Sequence, residues 1–100
     1  MTYEVRRDGS GVRLLPEGEV DMHVAPELRK VLSKIVAEKP YLLIVDLEKV
    51  PFVDSSGIAT IVEALKLLRQ GAGSLRVENC QETVRDTFDI AGLTKILGIP

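Results

Sequence analysis

The chain has 100 residues, a formal net charge of −2 and a single cysteine. Thirteen basic and fifteen acidic residues leave no electrostatic footprint for nucleic acid and no polybasic patch for a membrane surface. One Cys and one His exclude an intrachain disulfide and offer no zinc ligand set. Apolar residues make up 45% of the chain without any Trp, so one small domain with an aliphatic core is expected.

Two β-leaning runs, 3–7 and 12–16, come first and are joined by Asp8-Gly9-Ser10-Gly11, a turn sequence typical of a hairpin. The stretch 18–21 indicates a strand end that leads into a loop. Pro26 then suits the first turn of a helix, because its missing N–H would be unpaired there anyway. Helical spacing continues from that point in the apolar residues Leu28, Val31, Leu32, Ile35 and Val36.

The run 42–45 is continuously apolar, which is typical of a strand covered on both faces in a parallel sheet. A loop over 46–53 precedes the tetrad Asp54-Ser55-Ser56-Gly57, which opens a second amphipathic helix. Gly71-Ala72-Gly73 ends that helix. Alternation predicts a strand around Leu75 and Val77, followed by a helix over 83–90 with Val84 and Phe88 inside. The apolar segment 93–99 is predicted to form a final strand or a turn.

The element order β-β-α-β-α-β-α predicts one α/β domain over 1–100, with helices packed on a mixed, mainly parallel sheet. Two loops, one at Asp21 and one at Ser55, each follow a strand and precede a helix. Loops of this kind gather at one edge of the sheet, where sites usually form. We therefore expect the two loops to be neighbours.

The tetrad lies where a helix exposes free backbone N–H groups and the positive end of its dipole. A hydroxyl at such a position can cap the helix, bind an anion or carry a phosphate. Either Ser55 or Asp54 is a candidate N-cap, and Ile58 three residues after Ser55 excludes a capping box. Ser56 is expected in the first turn. Gly57 has no side chain, which is interpreted as allowing a partner or ligand to approach closely. The alternative is a glycine that is merely tolerated at the start of a helix.

Three stretches together resemble a known family: 18–21, then 43–47 and 50–58 with the helix that follows, and 84–93. In this order they resemble the STAS domain, and within it the bacterial anti-anti-sigma factors, also called anti-sigma factor antagonists. The resemblance implies that Ser55 is phosphorylated by an anti-sigma factor that is also a serine kinase. It implies that the unphosphorylated protein binds this kinase and frees a sigma factor, and that a serine phosphatase restores binding.

The predicted partner-binding residues lie on the two neighbouring loops. They are Asp21, Met22, His23, Asp54, Ser55, Ser56, Gly57 and Ile58.

Two alternatives compete with the regulatory interpretation. A catalytic triad of Ser55, His23 and Asp54 has poor support, because Asp54 adjoins Ser55, nothing places His23 against the hydroxyl, and no G-x-S-x-G elbow is present. We therefore predict a binding protein and not an enzyme. The second alternative is a STAS scaffold or subunit in another signalling or transport complex. The intact tetrad favours the phosphorylation switch.

Location and assembly are also predicted. The start of the chain is no signal peptide and no apolar run reaches the ~20 residues of a membrane span, so we expect a cytoplasmic protein. Many family members continue beyond the position of Pro100 into a further helix. Its absence is expected to leave Leu93, Ile96 and Leu97 less covered, which favours self-association. We expect a monomer or weak dimer.

Overall fold

Seven helices and strands follow one another in the predicted order in the computed structural model, which describes residues 1–100. Their bounds are β1 (Thr2–Asp8), β2 (Gly11–Glu17), α1 (Ala25–Ala37), β3 (Leu42–Asp46), α2 (Ser55–Gln70), β4 (Ser74–Glu78) and α3 (Glu82–Ile90). The sequence prediction of the fold is confirmed. None of the three helices has the length and apolar character of a membrane span.

The four strands form one sheet in which spatial order equals chain order. Strands β1 and β2 pair antiparallel around a Gly9-Ser10 turn, and Gly9 has the positive φ of 60° that such a turn requires. Strand β3 pairs parallel with β2 and with β4, so α1 and α2 are the crossover connections. The carboxyl ends of β2 and β3 therefore lie side by side.

The core lies between one face of the sheet and the apolar faces of the helices. Leu43 and Val45 of β3 are fully buried, whereas Leu42 and Ile44 between them are only partly buried. The expectation that this strand is covered on both faces was wrong. A short apolar run does not distinguish a strand buried on two faces from one whose second face is only partly covered.

The segment 93–99 contains turns over 94–98 and no fifth strand. The carbonyl of Leu97 accepts a hydrogen bond of 2.8 Å from the Val77 N–H, so the segment lies along the outer edge of β4. Leu97 is fully buried and Leu93 is partly buried, while Ile96 is 44% exposed. The expectation of a poorly covered end was wrong for Leu97, which is a core residue.

Helix α3 packs by the two side chains that the sequence predicts. Phe88 and Val84 are buried, and the side chains at the start of the helix hold it to the loop after β3. The Thr83 hydroxyl donates to the Pro51 carbonyl at 3.3 Å, and the Gln81 amide donates to the Glu48 carbonyl at 3.0 Å. This docking fixes one side of the loop that leads to Ser55.

We expect Leu97→Ala to lower the free energy of unfolding by about 2–5 kcal/mol, because it leaves a cavity in the core. Ile96→Ala is the matched control and should change it by no more than about 0.5 kcal/mol, since that side chain is nearly half exposed. Urea unfolding followed by circular dichroism measures both. Equal effects of the two substitutions would contradict the placement of this segment.

Candidate functional site

The loops after β2 and β3 are joined by backbone hydrogen bonds beyond the ends of the strands. The Val20 N–H donates to the Phe52 carbonyl at 2.9 Å, and the Asp54 N–H donates to the Val20 carbonyl at 3.1 Å. Val20 and Val53 thus form an isolated parallel bridge. The two loops predicted to be neighbours are therefore in direct contact, and their backbones are held in a fixed register.

Asp54 is the N-cap of α2. Its Oδ1 accepts from the Ser56 N–H at 2.9 Å and from the Gly57 N–H at 3.1 Å, and its backbone is extended, as caps require. Its Oδ2 accepts from the Met22 N–H of the other loop at 3.1 Å. One carboxylate thus ends the helix and binds the neighbouring loop. Of the two candidate caps, the structure selects Asp54, which leaves the Ser55 hydroxyl out of the cap.

Gly57 is buried where α2 lies closest to the bridge between the loops. A Cβ atom at this position would be 2.8 Å from Val20 Cγ1, 2.9 Å from Val53 Cγ1 and 3.0 Å from the Val20 carbonyl oxygen. Such distances are too short for a side chain. The clearance that Gly57 provides is therefore for the chain itself, and its interpretation as clearance for a partner or ligand was wrong.

Asp21 organises the loop before α1 in a similar way. Its Oδ1 accepts from the His23 N–H at 2.9 Å and from the Val24 N–H at 3.2 Å. Its carbonyl also accepts from the Ala25 N–H at 2.8 Å, at the first residue of α1. The Asp21 carboxylate therefore fixes the turn that presents Met22 and His23, and its role in contacting a kinase stays a prediction.

Ser55 is exposed at the first position of α2, and Ser56 is partly buried in the first turn as expected. The Met22 and His23 side chains are exposed on the adjoining loop. The predicted contact residues Gly57 and Ile58 are buried and offer little surface to a partner. Their contact with a partner stays a prediction.

Phe52 is an exposed aromatic residue of the loop before α2, and the sequence predicted no binding role for it. Its side chain is 47% exposed and that of Met22 is 65% exposed, and both residues lie directly beside the hydrogen bonds that join the loops. The signal in the sequence is the pattern of Val50 to Val53, in which buried valines enclose Pro51 and Phe52. We call Met22, Phe52 and Ser55, with His23, the loop surface.

The charges near Ser55 are acidic. Asp54 precedes it, and Asp21 lies across the loop junction. The first turn of α2 carries no acidic residue, and the basic residues of this helix, Lys66 and Arg69, lie toward its other end. No group of three or more His, Cys, Asp or Glu side chains is placed to hold a metal ion. The dipole of α2 adds positive potential at this end of the helix.

A family model for the STAS domain matches residues 3–100. The chain therefore belongs to the STAS domain family. It is 33% identical over 99 residues to the anti-sigma-B factor antagonist of Bacillus subtilis, an alignment that covers 99% of this chain and 90% of that protein. The anti-sigma-B factor antagonist of Listeria monocytogenes is 30% identical over 93 residues, covering 93% of this chain and 82% of the relative.

The fold is also similar to that of a solved anti-sigma factor antagonist, SpoIIAA in its unphosphorylated form. The two share 25% sequence identity with a TM-score of 0.84, over 95% of this chain and 84% of SpoIIAA.

We expect Gly57→Ala to destabilise the protein by about 1–3 kcal/mol, because the added methyl group overlaps Val20 and Val53. Gly71→Ala is the matched control: at the other end of α2 a Cβ has no neighbour closer than 3.8 Å and φ is −107°. Its effect should stay within about 0.5 kcal/mol. Thermal and urea unfolding measure both, and a neutral Gly57→Ala would contradict the close packing of helix and loops.

Proposed function

We propose that the protein is an anti-sigma factor antagonist whose loop surface binds an anti-sigma factor that is also a serine kinase. Binding frees the sigma factor, phosphorylation of Ser55 ends the binding, and a serine phosphatase restores it. The names of the curated relatives support the role. The observation that carries the assignment of Ser55 is its exposed position directly after an aspartate that already caps the helix.

The two serines of the tetrad differ in their suitability as phosphate acceptors. Ser55 is exposed, and its hydroxyl is not needed for the cap because Asp54 supplies the capping oxygen. Ser56 is partly buried, its N–H donates to Asp54, and its carbonyl accepts from the Thr60 hydroxyl at 2.8 Å. A kinase therefore reaches Ser55 without disturbing the start of the helix.

A phosphate on Ser55 would change the surface more than the fold. It brings a charge of about −1.5 to −2, and the helix dipole compensates each charge by roughly 0.3–1 kcal/mol. The N–H groups of Ser56 and Gly57 already donate to Asp54, so these donors are not available to the phosphate. The new charge stays at the loop surface, where a partner would have to desolvate it at a cost of several kcal/mol.

The loop surface also has the composition of a binding site. Met22 and Phe52 expose apolar side chains beside Ser55, and Met and aromatic residues are enriched where proteins bind one another. Backbone hydrogen bonds hold both loops, so little ordering is required when a partner binds. Both features favour a surface that binds a folded protein.

A regulatory binding role also agrees better with the contacts of Asp54 than hydrolysis does. In a triad the carboxylate orients the imidazole of the base. Here both oxygens of Asp54 accept backbone N–H groups, from Ser56 and Gly57 on one side and Met22 on the other. The carboxylate thus has a structural role that leaves His23 without an orienting partner from Asp54.

Incubation with the anti-sigma factor kinase of the same organism and ATP should add one phosphate to the wild type. Ser56→Ala should accept it equally well and Ser55→Ala should not, because only Ser55 is exposed and outside the cap. Intact mass and peptide mass spectrometry measure the phosphate and its position. Phosphate that persists on Ser55→Ala but is lost from Ser56→Ala would overturn the assignment.

A negative charge at position 55 should weaken kinase binding without unfolding the domain. We expect Ser55→Asp to lower the affinity for the kinase at least tenfold, or about 1.4 kcal/mol, while the melting temperature stays near that of the wild type. Asp86→Asn on the exposed side of α3 is a control for a change of charge elsewhere and should leave the affinity unaltered. Calorimetric titration measures the affinities. Wild-type affinity of Ser55→Asp would contradict the switch, and a kinase that binds no variant at all would contradict the sigma-factor role.

A further inference from the structure

The two edges of the sheet differ in how they are covered. The outer edge of β4 receives the segment 93–99 through the hydrogen bond between Val77 and Leu97. Strand β1 forms the other edge, pairs only with β2, and all its residues except Val5 are exposed. An uncovered edge of seven residues is a template for pairing with another strand.

The hairpin register shows which backbone groups of β1 point outward. In a hairpin with a two-residue turn, Asp8 and Gly11 are the hydrogen-bonded pair that closes it, and bonded and non-bonded pairs then alternate. Tyr3, Val5 and Arg7 are therefore non-bonded toward β2 and direct their N–H and C=O groups away from the sheet. Pro16 stands opposite Tyr3, where no N–H is needed, which agrees with this alternation.

We infer that the β1 edge is the dimerisation surface of the protein, on which a second copy pairs its own β1 antiparallel about a two-fold axis at Val5. The two sheets then form one continuous sheet, and the interface is isologous, with the same residues contributed by both copies. This inference does not depend on the proposed function.

Charge complementarity selects both the partner and the register. A two-fold axis perpendicular to the sheet leaves each side chain on the same face in both copies. Residues that stand opposite each other must share a face, so the axis has to pass between two copies of the same residue. With the axis at Val5, Glu4 of each copy stands opposite Arg6 of the other, and all seven residues are paired. Axes at Glu4 or at Arg6 place like charges opposite each other and leave fewer residues paired.

The surrounding pairs agree with the same register. Glu4 and Arg6 share the face of the sheet that carries Leu15 and Arg13, and within one chain they form an ion pair. In the dimer the two pairs become four charges that alternate in sign around the axis. Tyr3, which is 44% exposed, comes opposite Arg7, an arrangement that allows a cation–π contact. The same charges repel strands without this pattern, so the edge is selective for its own copy.

The area of one strand pair is smaller than that of a stable interface, so we expect a weak dimer whose population rises with protein concentration. Sedimentation equilibrium of the full chain measures its dissociation constant. Glu4→Arg and Arg6→Glu should each weaken the dimer about tenfold or more, because both then place like charges opposite each other. Strictly monomeric wild type over the whole concentration range would overturn the proposal.

An equimolar mixture of Glu4→Arg and Arg6→Glu supplies the decisive measurement. Each variant alone has only repulsive pairs across the axis, whereas the mixed dimer has only attractive ones, so mixing should restore dimers. The matched control mixes Asp86→Arg with Lys66→Glu, which carry the same net charges on exposed helix positions. These should dimerise like the wild type both alone and mixed. If the two control variants also failed to dimerise alone and dimerised when mixed, the assignment to β1 would be overturned.

Cysteine cross-linking in a Cys80→Ser background tests the register. Hydrogen-bonded strand pairs place their Cα atoms about 5.5 Å apart, within the range that a disulfide spans. Val5→Cys should therefore oxidise to a covalent dimer faster than Glu4→Cys or Arg6→Cys. Faster cross-linking at position 4 or 6 would contradict the axis at Val5, and thermal melts of each variant confirm that the fold is intact.

Discussion

The carboxylate of Asp54 is the interaction on which the functional edge of this protein depends. It accepts two N–H groups from the first turn of α2 and one from the loop before α1. The two loops belong to different crossover units, and the sheet alone does not fix how their ends meet. Asp54 joins them beyond the carboxyl ends of β2 and β3, and the Val20–Val53 bridge sets their register there. Replacing this carboxylate would release a helix cap and a loop contact together.

Gly57 makes that arrangement possible because it lets the start of α2 approach the bridge. The absence of a Cβ allows the helix to lie against Val20 and Val53, which brings the Ser56 and Gly57 N–H groups within reach of Asp54. The four residues of the tetrad therefore have different roles. Asp54 and Gly57 hold the architecture, Ser56 adds a bond through its carbonyl, and Ser55 is left with an exposed hydroxyl.

The order of the elements was predictable from the sequence because each depends on local periodicity. The turn at Gly9-Ser10, the alternation of Leu75 and Val77 and the helical pair Val84 and Phe88 are all short-range signals. The cap could be narrowed only to Ser55 or Asp54, since both residue types favour that position. The burial of Gly57 and Leu97 was not predictable, because it arises from contacts with residues far away in the chain. The open edge of β1 likewise follows from strand order, which periodicity does not determine.

The fixed geometry of the loop at Ser55 has a consequence for how an enzyme would recognise it. Residues 48–57 are held by the bridge, by the cap and by hydrogen bonds from the start of α3 to the Glu48 and Pro51 carbonyls. The residues around the hydroxyl are thus not available as an extended strand of polypeptide. A kinase or phosphatase acting on Ser55 has to recognise the surface of the folded domain. That surface includes Met22, which lies more than thirty positions before Ser55 in the chain. A short peptide of the same local sequence lacks that shape and would be a poor substitute for the whole protein.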